Sequence, residues 1–243
     1  MALASVTRSL RVVDPGPSVP REWDDFVDGH PDGTFFHRSG WLRVLGATFP
    51  YRPASLLALE GDRVRAVLPL FQVRHLSGGS SLVSTPFGVY GGVLGDPEAS
   101  DLLLAHAREQ GERLGTRYVE LRHERAVGDL PVKDLYVTFR RPIHPTDDEN
   151  MAAIPRNQRR SIRVAMKHGL ESRMGDLGLL SDFYDVYSQS VRNLGTPVFP
   201  RKLFENLLRE VEPRPKILGV YHEGAMVAGV LTFFYRDQVL PYY

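Results

Sequence analysis

The chain has 243 residues, and its 30 Lys and Arg against 29 Asp and Glu give a formal net charge of +1. So small a net charge attracts neither nucleic acid nor an anionic membrane to the chain as a whole, and any electrostatic function must therefore be local. The sequence has no Cys, which excludes disulfides, thiolate metal ligands and a cysteine nucleophile.

Residues 1–142 alternate between strand and helix patterns. The stretch "SLRVVDP" predicts a strand, and Ser18 and Ser39 are predicted as N-caps of two short helices that follow. Two β-rich runs joined by "EGD" predict a hairpin, and "DPEASDLLLAHAREQGERLG" predicts a helix. The runs "RYVELRHE" and "LYVTFRRPI" predict further strands. This mixture indicates an α/β (α+β) unit with a mixed sheet.

A second unit is predicted over residues 143–243. Thr146 and Glu149 have the spacing of a capping box, and Pro155 suits the first turn of a helix. Two more helical patterns follow, and then three strands with turns at "HEG" and "RDQ". We interpret the two units as tandem copies of one topology with the second copy cut short, because the chain ends on the uncovered strand "QVLPYY". A truncated chain or a partner subunit that completes the sheet explains this ending.

No apolar run approaches the ~20 residues of a transmembrane helix. The N-terminal stretch "MALASVTRSLRVVDPGP" also lacks the apolar core of a signal peptide. We therefore expect no transmembrane segment and a cytoplasmic location.

The most distinctive segment is "IPRNQRRSIRVAMKHGL", residues 154–170, which contains five Arg or Lys and no acidic residue. At ~100° per helical residue, its cations fall within one arc of ~100°, and Ile162, Ala165 and Met166 fall on an adjacent, packing arc. Like charges at i,i+3 and i,i+4 repel, and a bridging anion removes that cost. Guanidinium groups bind phosphate oxygens in a bidentate fork.

Three interpretations of this helix stay open. It binds phosphate or diphosphate in a groove between the two units, it binds a polyanion, or it is a solvated face, with or without pairing to the acidic residues Asp147, Asp148 and Glu149. Neither unit shows a broad basic surface with interleaved aromatic residues, so DNA is not an expected partner.

The strings "IPRNQRRSIRVAMKHGL", "SVRNLGTPVFPR", "LVSTPFGVYGGVLGD" and "VLPYY" resemble the Fem-type (FemAB) aminoacyltransferases, and most of all the branch of exosortase (PEP-CTERM) and exopolysaccharide systems. The resemblance spans roughly residues 30–243. It implies tandem GNAT-like domains, the second incomplete, and transfer of an acyl or aminoacyl group to an amine. It also implies that the family continues past "LPYY".

The resemblance assigns Arg159 to the acceptor diphosphate, with Arg163 one turn along to assist. Where the peptidoglycan branch has a lysine, this chain offers Arg43 or Leu45, which argues against a muropeptide bound in the same way. The Gly-rich loop "STPFGVYGGVLGDPEAS" lacks the pattern that cradles coenzyme A.

Further predicted substrate-binding residues are Asn193, Thr196 and Tyr242. The first two belong to the shaped loop "NLGTPVFP" and offer hydrogen-bond donors to an acceptor pocket. The catalytic residues are not identified. His37 is expected to be a packed histidine, and the scattered His residues show no metal-ligand spacing.

The sequence therefore predicts an N-acyltransferase that acts on a phosphate-containing envelope or exopolysaccharide precursor, either a small molecule or a lipid-linked glycan. No cofactor is expected to be permanently bound, and acyl-CoA or aminoacyl-tRNA is the expected donor. The alternative is a non-catalytic module that binds an anionic glycan precursor or a protein of polysaccharide synthesis.

Overall fold

The structure is a computed structural model that describes residues 9–243. Residues 1–8, where the stretch tested for a signal peptide begins, lie outside the described residues. The mixture of helices and sheets confirms the predicted mixed α/β class.

Helices form where an apolar stripe recurs at helical spacing. The seven α-helices of residues 9–243 are α1 Arg21–Gly29, α2 Ser39–Thr48, α3 Pro97–Arg113, α4 Asp147–Ala153, α5 Arg156–Met166, α6 Leu180–Asn193 and α7 Arg201–Glu210. Single turns of 3₁₀ helix lie at Phe35–His37 and Leu177–Leu179.

The strands are β1 Leu10–Val13, β2 Arg52–Pro53, β3 Leu56–Glu60, β4 Arg63–Leu68, β5 Phe71–Arg74, β6 Ser80–Val83, β7 Leu94–Gly95, β8 Val119–Glu120, β9 Glu171–Gly175, β10 Lys216–His222, β11 Ala225–Tyr235 and β12 Gln238–Pro241. They form three four-stranded sheets with the orders β1-β3-β4-β7, β2-β5-β6-β8 and β12-β11-β10-β9. The β6–β8 pair is parallel.

The chain divides into two compact units that are not continuous in sequence. The first contains residues up to Arg125 together with Phe199–Pro215 and Phe233–Pro241. The second contains Ala126–Val198, Lys216–Thr232 and Tyr242–Tyr243. The domain boundary between residues 142 and 143 stays a prediction.

The core of the first unit lies between α3 and the β3–β4 hairpin. Ala99, Leu103 and Ala107 of α3 are buried in one cluster with Ala58 and Leu68 of the two strands. The small alanine side chains let the helix approach the sheet closely. Asp96 caps α3 by accepting a hydrogen bond from the Ala99 N–H at 3.1 Å.

A second part of this core is aromatic and depends on a late segment of the chain. The Phe233 ring stacks on the Phe35 ring at 4.3 Å between centroids and meets the Trp41 ring edge-on at 5.9 Å. All three side chains are buried. The segment Phe233–Pro241 thus closes a core that the first fifty residues begin.

The same late segment caps α1. The Arg236 Nη2 group donates hydrogen bonds of 2.7–2.9 Å to backbone carbonyl oxygens at the end of that helix, those of Val27, Asp28 and His30. The last turn of α1 has no basic residue of its own. Arg236 therefore supplies the positive charge that the carbonyl end of a helix favours.

In the second unit, α6 packs on the sheet formed by β9, β10 and β11. The Phe183 ring lies against Gly229, where an added Cβ would come within 3.0 Å of it. The Tyr221 hydroxyl donates to Asp182 at 3.2 Å. Helices α4 and α5 contain no buried residue, in contrast to α6.

Several local predictions are wrong. Pro20 and Arg38 occupy the N-cap positions of α1 and α2, and neither cap uses a side-chain hydrogen bond, so Ser18 and Ser39 are not N-caps. The predicted strand "LYVTFRRPI" is not a strand, because no strand of residues 9–243 pairs with it. Strand β9 was not predicted, because the sequence "ESRMG" is polar and the strand forms by backbone pairing with β10.

Replacing Phe233 by Ala is expected to lower the free energy of unfolding by about 3–5 kcal/mol, because it opens a cavity among buried rings. Chemical denaturation followed by circular dichroism measures the change. Phe234→Ala is the matched control, since Phe234 points to the other side of β11 and is only half-buried. Equal losses in the two variants would contradict the role of Phe233.

Candidate functional site

Local sequence features determine where helix α5 begins and ends. The preceding helix, α4, begins with a capping box in which Thr146 Oγ1 accepts from the Glu149 N–H and Glu149 Oε2 accepts from the Thr146 N–H. Pro155 occupies the N-cap of α5. Gly169 follows the helix with a φ of +67°, a left-handed conformation that favours glycine.

One face of α5 carries a cationic stripe, defined by Arg156, Arg159, Arg160, Arg163 and Lys167. Arg159 is half-buried, and its Nη1 group donates to the Ala152 carbonyl oxygen at 3.2 Å, which ties α5 to the end of α4. The other four side chains are exposed.

The cationic stripe has no carboxylate partner among the residues that the structure describes. Glu149 instead closes the capping box of α4. No ion pair therefore joins α5 to Asp147, Asp148 or Glu149, and the interpretation of α5 as a solvated face stays open. The positive charges face solvent together, and they repel one another in the absence of an anion.

Two shallow grooves, both open to solvent, run along this helix, and all of their lining residues belong to α5 or to the four residues that follow it. The first has a volume of about 510 Å³ and is lined by the cationic stripe and Val164. The second has a volume of about 670 Å³ and is lined by more apolar residues, Val164, Ala165 and Leu170, beside Arg160, Ser161 and His168. Arg160 and Val164 border both grooves, so a cationic groove and a mainly apolar one lie side by side.

The packing of α5 differs from the prediction in one residue. Ile162 and Ala165 are half-buried, as a packing face requires, but Met166 is 71% exposed. On the helix, Val164 and Met166 lie at about +80° and −80° from Arg156, so exposed apolar side chains flank the cationic stripe on both sides.

The remaining predicted site residues line neither groove. Asn193 is the last residue of α6, and Thr196 lies in the exposed loop after it. Tyr242 follows β12, and its backbone N–H donates to the Leu231 carbonyl oxygen at 2.9 Å. Their roles stay predictions. Leu45 is buried and Arg43 is exposed, so of these two positions only Arg43 presents its side chain to a ligand.

The Gly-rich loop, residues 85–93, is a second feature with special geometry, and it belongs to the first unit. Thr85, Phe87 and Tyr90 have φ values of 45°, 62° and 43°. Bulky residues rarely adopt this left-handed region, and such strain persists where the surroundings hold it in place. Arg122 contributes by donating from Nη1 to the Gly88 carbonyl oxygen at 2.7 Å.

His37 also holds the Gly-rich loop, and it is buried as predicted. The Gly92 carbonyl oxygen lies 3.1 Å from His37 Nε2 and only accepts, so Nε2 carries the proton. Nδ1 then accepts from the Thr34 N–H at 3.2 Å, and the Thr34 hydroxyl donates to the Tyr90 carbonyl oxygen at 2.8 Å. Burial lowers the pKa of His37 from 6.5 to about 3.

No group of three or more His, Asp or Glu side chains in residues 9–243 is placed to hold a metal ion. None of the helices in that range combines the length and apolar character needed to cross a bilayer.

Residues 156–243 match the family model of the acetyltransferase (GNAT) domain. The match begins at the first residue of α5 and covers less than half of the chain. The C-terminal part of the chain is thus similar to GNAT-type acetyltransferase domains.

The chain is also similar in structure to FemX, known from a crystal structure, with a TM-score of 0.56 and 17% sequence identity. The similarity covers 83% of this chain and 56% of the FemX chain, so the chain spans little more than half the length of that protein. By sequence, the chain matches no curated protein. The two likenesses confirm the predicted GNAT-like fold.

The buried His37 predicts a pH dependence of stability. Because the pKa of the folded state is lower than 6.5, the unfolded chain takes up the proton first. Stability is therefore full above about pH 6.5 and falls toward pH 3, with a slope from His37 of up to about 1.4 kcal/mol per pH unit.

Urea denaturation between pH 7.5 and about pH 4.5 measures this slope. His37→Gln is expected to lose part of it, while His222→Gln, at an exposed position, keeps the slope of the unaltered chain. Parallel stability curves for His37→Gln and the unaltered chain would contradict the assignment.

Proposed function

We propose that this chain belongs to an N-acyltransferase that transfers an acyl or aminoacyl group to an amine on a phosphate-containing precursor. The observation that carries the proposal is the cationic stripe of α5, which lines a groove without any carboxylate partner among residues 9–243. An acceptor phosphate or diphosphate bridges these cations and removes their mutual repulsion.

Arg159 and Arg163 are the proposed phosphate ligands. Both line the open groove along the cationic stripe, so a diphosphate can reach both guanidinium groups from solvent. Arg159 is held by its bond to the Ala152 carbonyl oxygen, which limits its motion before a ligand arrives. Arg163 makes no comparable bond to any of residues 9–243, so its side chain can follow the ligand. The two residues thus combine a preorganised contact with an adaptable one.

The reaction type comes from the GNAT-type domain, whose match starts at the first residue of the same helix. In amine acylation, the amine attacks the donor carbonyl and loses a proton, and the thiol of coenzyme A or a hydroxyl of tRNA leaves. Acyl-CoA and aminoacyl-tRNA are both proposed donors. Asn193, Thr196 and Tyr242 are proposed to shape the acceptor pocket.

The finer part of the proposal concerns the biological setting. The resemblance of residues 30–243 to the exosortase (PEP-CTERM) and exopolysaccharide branch supports an envelope or exopolysaccharide precursor as acceptor, modified in the cytoplasm. Tandem domains at residues 1–142 and 143–243 are part of the same proposal. The departure at Arg43 and Leu45 from the lysine of the peptidoglycan branch favours an acceptor other than a muropeptide.

Pyrophosphate and UDP-N-acetylglucosamine are suitable probes for the phosphate site. At a concentration about 100 times its Kd, the bound ligand is expected to raise Tm by about 5–10 °C. Arg159→Ala or Arg163→Ala removes a charge-assisted hydrogen bond and is expected to raise Kd about 10–100-fold. Differential scanning fluorimetry as a function of ligand concentration measures both effects.

Arg108→Ala is the matched control, because Arg108 is an exposed arginine within helix α3 of the first unit. It should leave the ligand-induced rise in Tm unchanged. If the ligand raises Tm equally in the unaltered chain and in both α5 variants, the proposal of a phosphate site is wrong. An assay of acyl transfer from acetyl-CoA or aminoacyl-tRNA to an amino sugar nucleotide then separates an enzyme from a module that only binds.

A further inference from the structure

We infer that the second unit docks on the surface of an anionic lipid bilayer through α5 and the exposed apolar segment of residues 130–143. This inference goes beyond the proposed acyl transfer and does not depend on it. It joins two observations that the proposed function leaves unexplained, namely the apolar side chains beside the cationic stripe and the apolar segment that forms no strand.

The first observation is the exposed apolar surface of the second unit. Most of the exposed large apolar side chains of residues 9–243 belong to this unit rather than to the first. Within residues 130–143, the side chains of Tyr136 and Phe139 are 88% and 92% exposed. The same segment exposes four or more further apolar side chains, among them Leu135, Val137 and Ile143. Contiguous exposed apolar surface of this kind marks an interaction site.

The second observation is that positive charge accompanies this apolar surface. Lys133, Arg140 and Arg141 lie within the apolar segment, against the single acidic residue Asp134. On α5, the exposed Val164 and Met166 flank the cationic stripe, and the apolar groove adjoins the cationic one along Arg160. Basic helices with apolar neighbours lie in the headgroup layer of membranes, where cations meet lipid phosphates and apolar side chains enter the acyl boundary.

The distribution of charge also predicts how the chain is oriented on an anionic bilayer. The chain carries +1 in total, and residues 154–170 alone carry five cations and no acidic residue, so the rest of the chain is net negative. An anionic bilayer therefore attracts the cationic stripe and repels the remainder. Nucleic acid offers the same negative charge but no apolar layer for Val164, Met166 and Phe139, and for this reason a bilayer suits the surface better.

The stability of α5 fits this role. The helix has 11 residues and none of them is buried. Helices shorter than about 12–15 residues are marginal in water unless packing supports them. Contact with lipid headgroups adds that support, so binding is expected to increase protection of the α5 amides from hydrogen exchange.

Flotation of the whole chain with vesicles tests the inference. Vesicles with about 30 mol% phosphatidylglycerol in phosphatidylcholine should carry the protein at low salt, and vesicles of phosphatidylcholine alone should carry much less. Raising the ionic strength should release the protein. Equal binding to both vesicles, or none to either, overturns the inference.

Single substitutions test the contribution of the exposed apolar side chains to vesicle binding. Phe139→Asp and Met166→Asp are each expected to lower the partition coefficient about tenfold or more, because each removes an apolar side chain from the lipid boundary. Leu76→Asp is the matched control, since Leu76 is fully exposed in the first unit and the change in charge is the same. An equal loss in Leu76→Asp would overturn the role of this surface. Circular dichroism and Tm verify that each variant is folded.

The outcomes distinguish this inference from the proposed function. Phe139→Asp and Met166→Asp should keep the Tm rise with pyrophosphate, because neither residue lines the cationic groove. Loss of vesicle binding with that rise retained supports the inference. A chain that responds to pyrophosphate but binds no anionic vesicle overturns the inference alone. Binding to duplex DNA that exceeds vesicle binding and persists in both variants overturns it in favour of a general affinity for nucleic acid.

Discussion

The first unit depends on a contact between residues that are about two hundred positions apart. Phe233 stacks on the buried Phe35 ring and meets the buried Trp41 ring edge-on, and α1 ends on carbonyl groups that Arg236 satisfies. Rings of this size dominate core energetics, and unpaired carbonyl groups at a helix end are costly to bury. The core of the N-terminal residues is therefore complete only when the segment Phe233–Pro241 has returned to it.

Strand β11 contributes residues to both units. Strand β11 runs from Ala225 to Tyr235, and its end supplies Phe233 to the first unit while its beginning pairs with β10 in the second. The sheet on which α6 packs is thus continuous in sequence with the residues that close the aromatic core. Within the second unit, α4, α5 and residues 130–143 contain no buried residue and are the surfaces open to ligands.

Both functional proposals depend on helix α5, because its positive charges have no carboxylate partner among residues 9–243. In the first unit, Arg65 has carboxylate partners in Glu60 and Asp96. Among residues 9–243, the side chains of the cationic stripe make a single intramolecular hydrogen bond, from Arg159 to a backbone carbonyl oxygen. A phosphate group satisfies these guanidinium groups, whether it belongs to a soluble precursor or to a lipid headgroup, and the adjoining apolar residues favour ligands with an apolar part.

The sequence by itself determined the features that depend on neighbours along the chain. The capping box of Thr146 and Glu149, the β3–β4 hairpin and the clustering of cations on one face of α5 all follow from local spacing. Tertiary structure decided the rest. The polar strand β9 forms because β10 offers backbone partners, whereas "LYVTFRRPI" has strand-like residues and no partner among residues 9–243. Whether the cations of α5 would be paired, and which segment would close the first core, depended on residues that only the fold brings together.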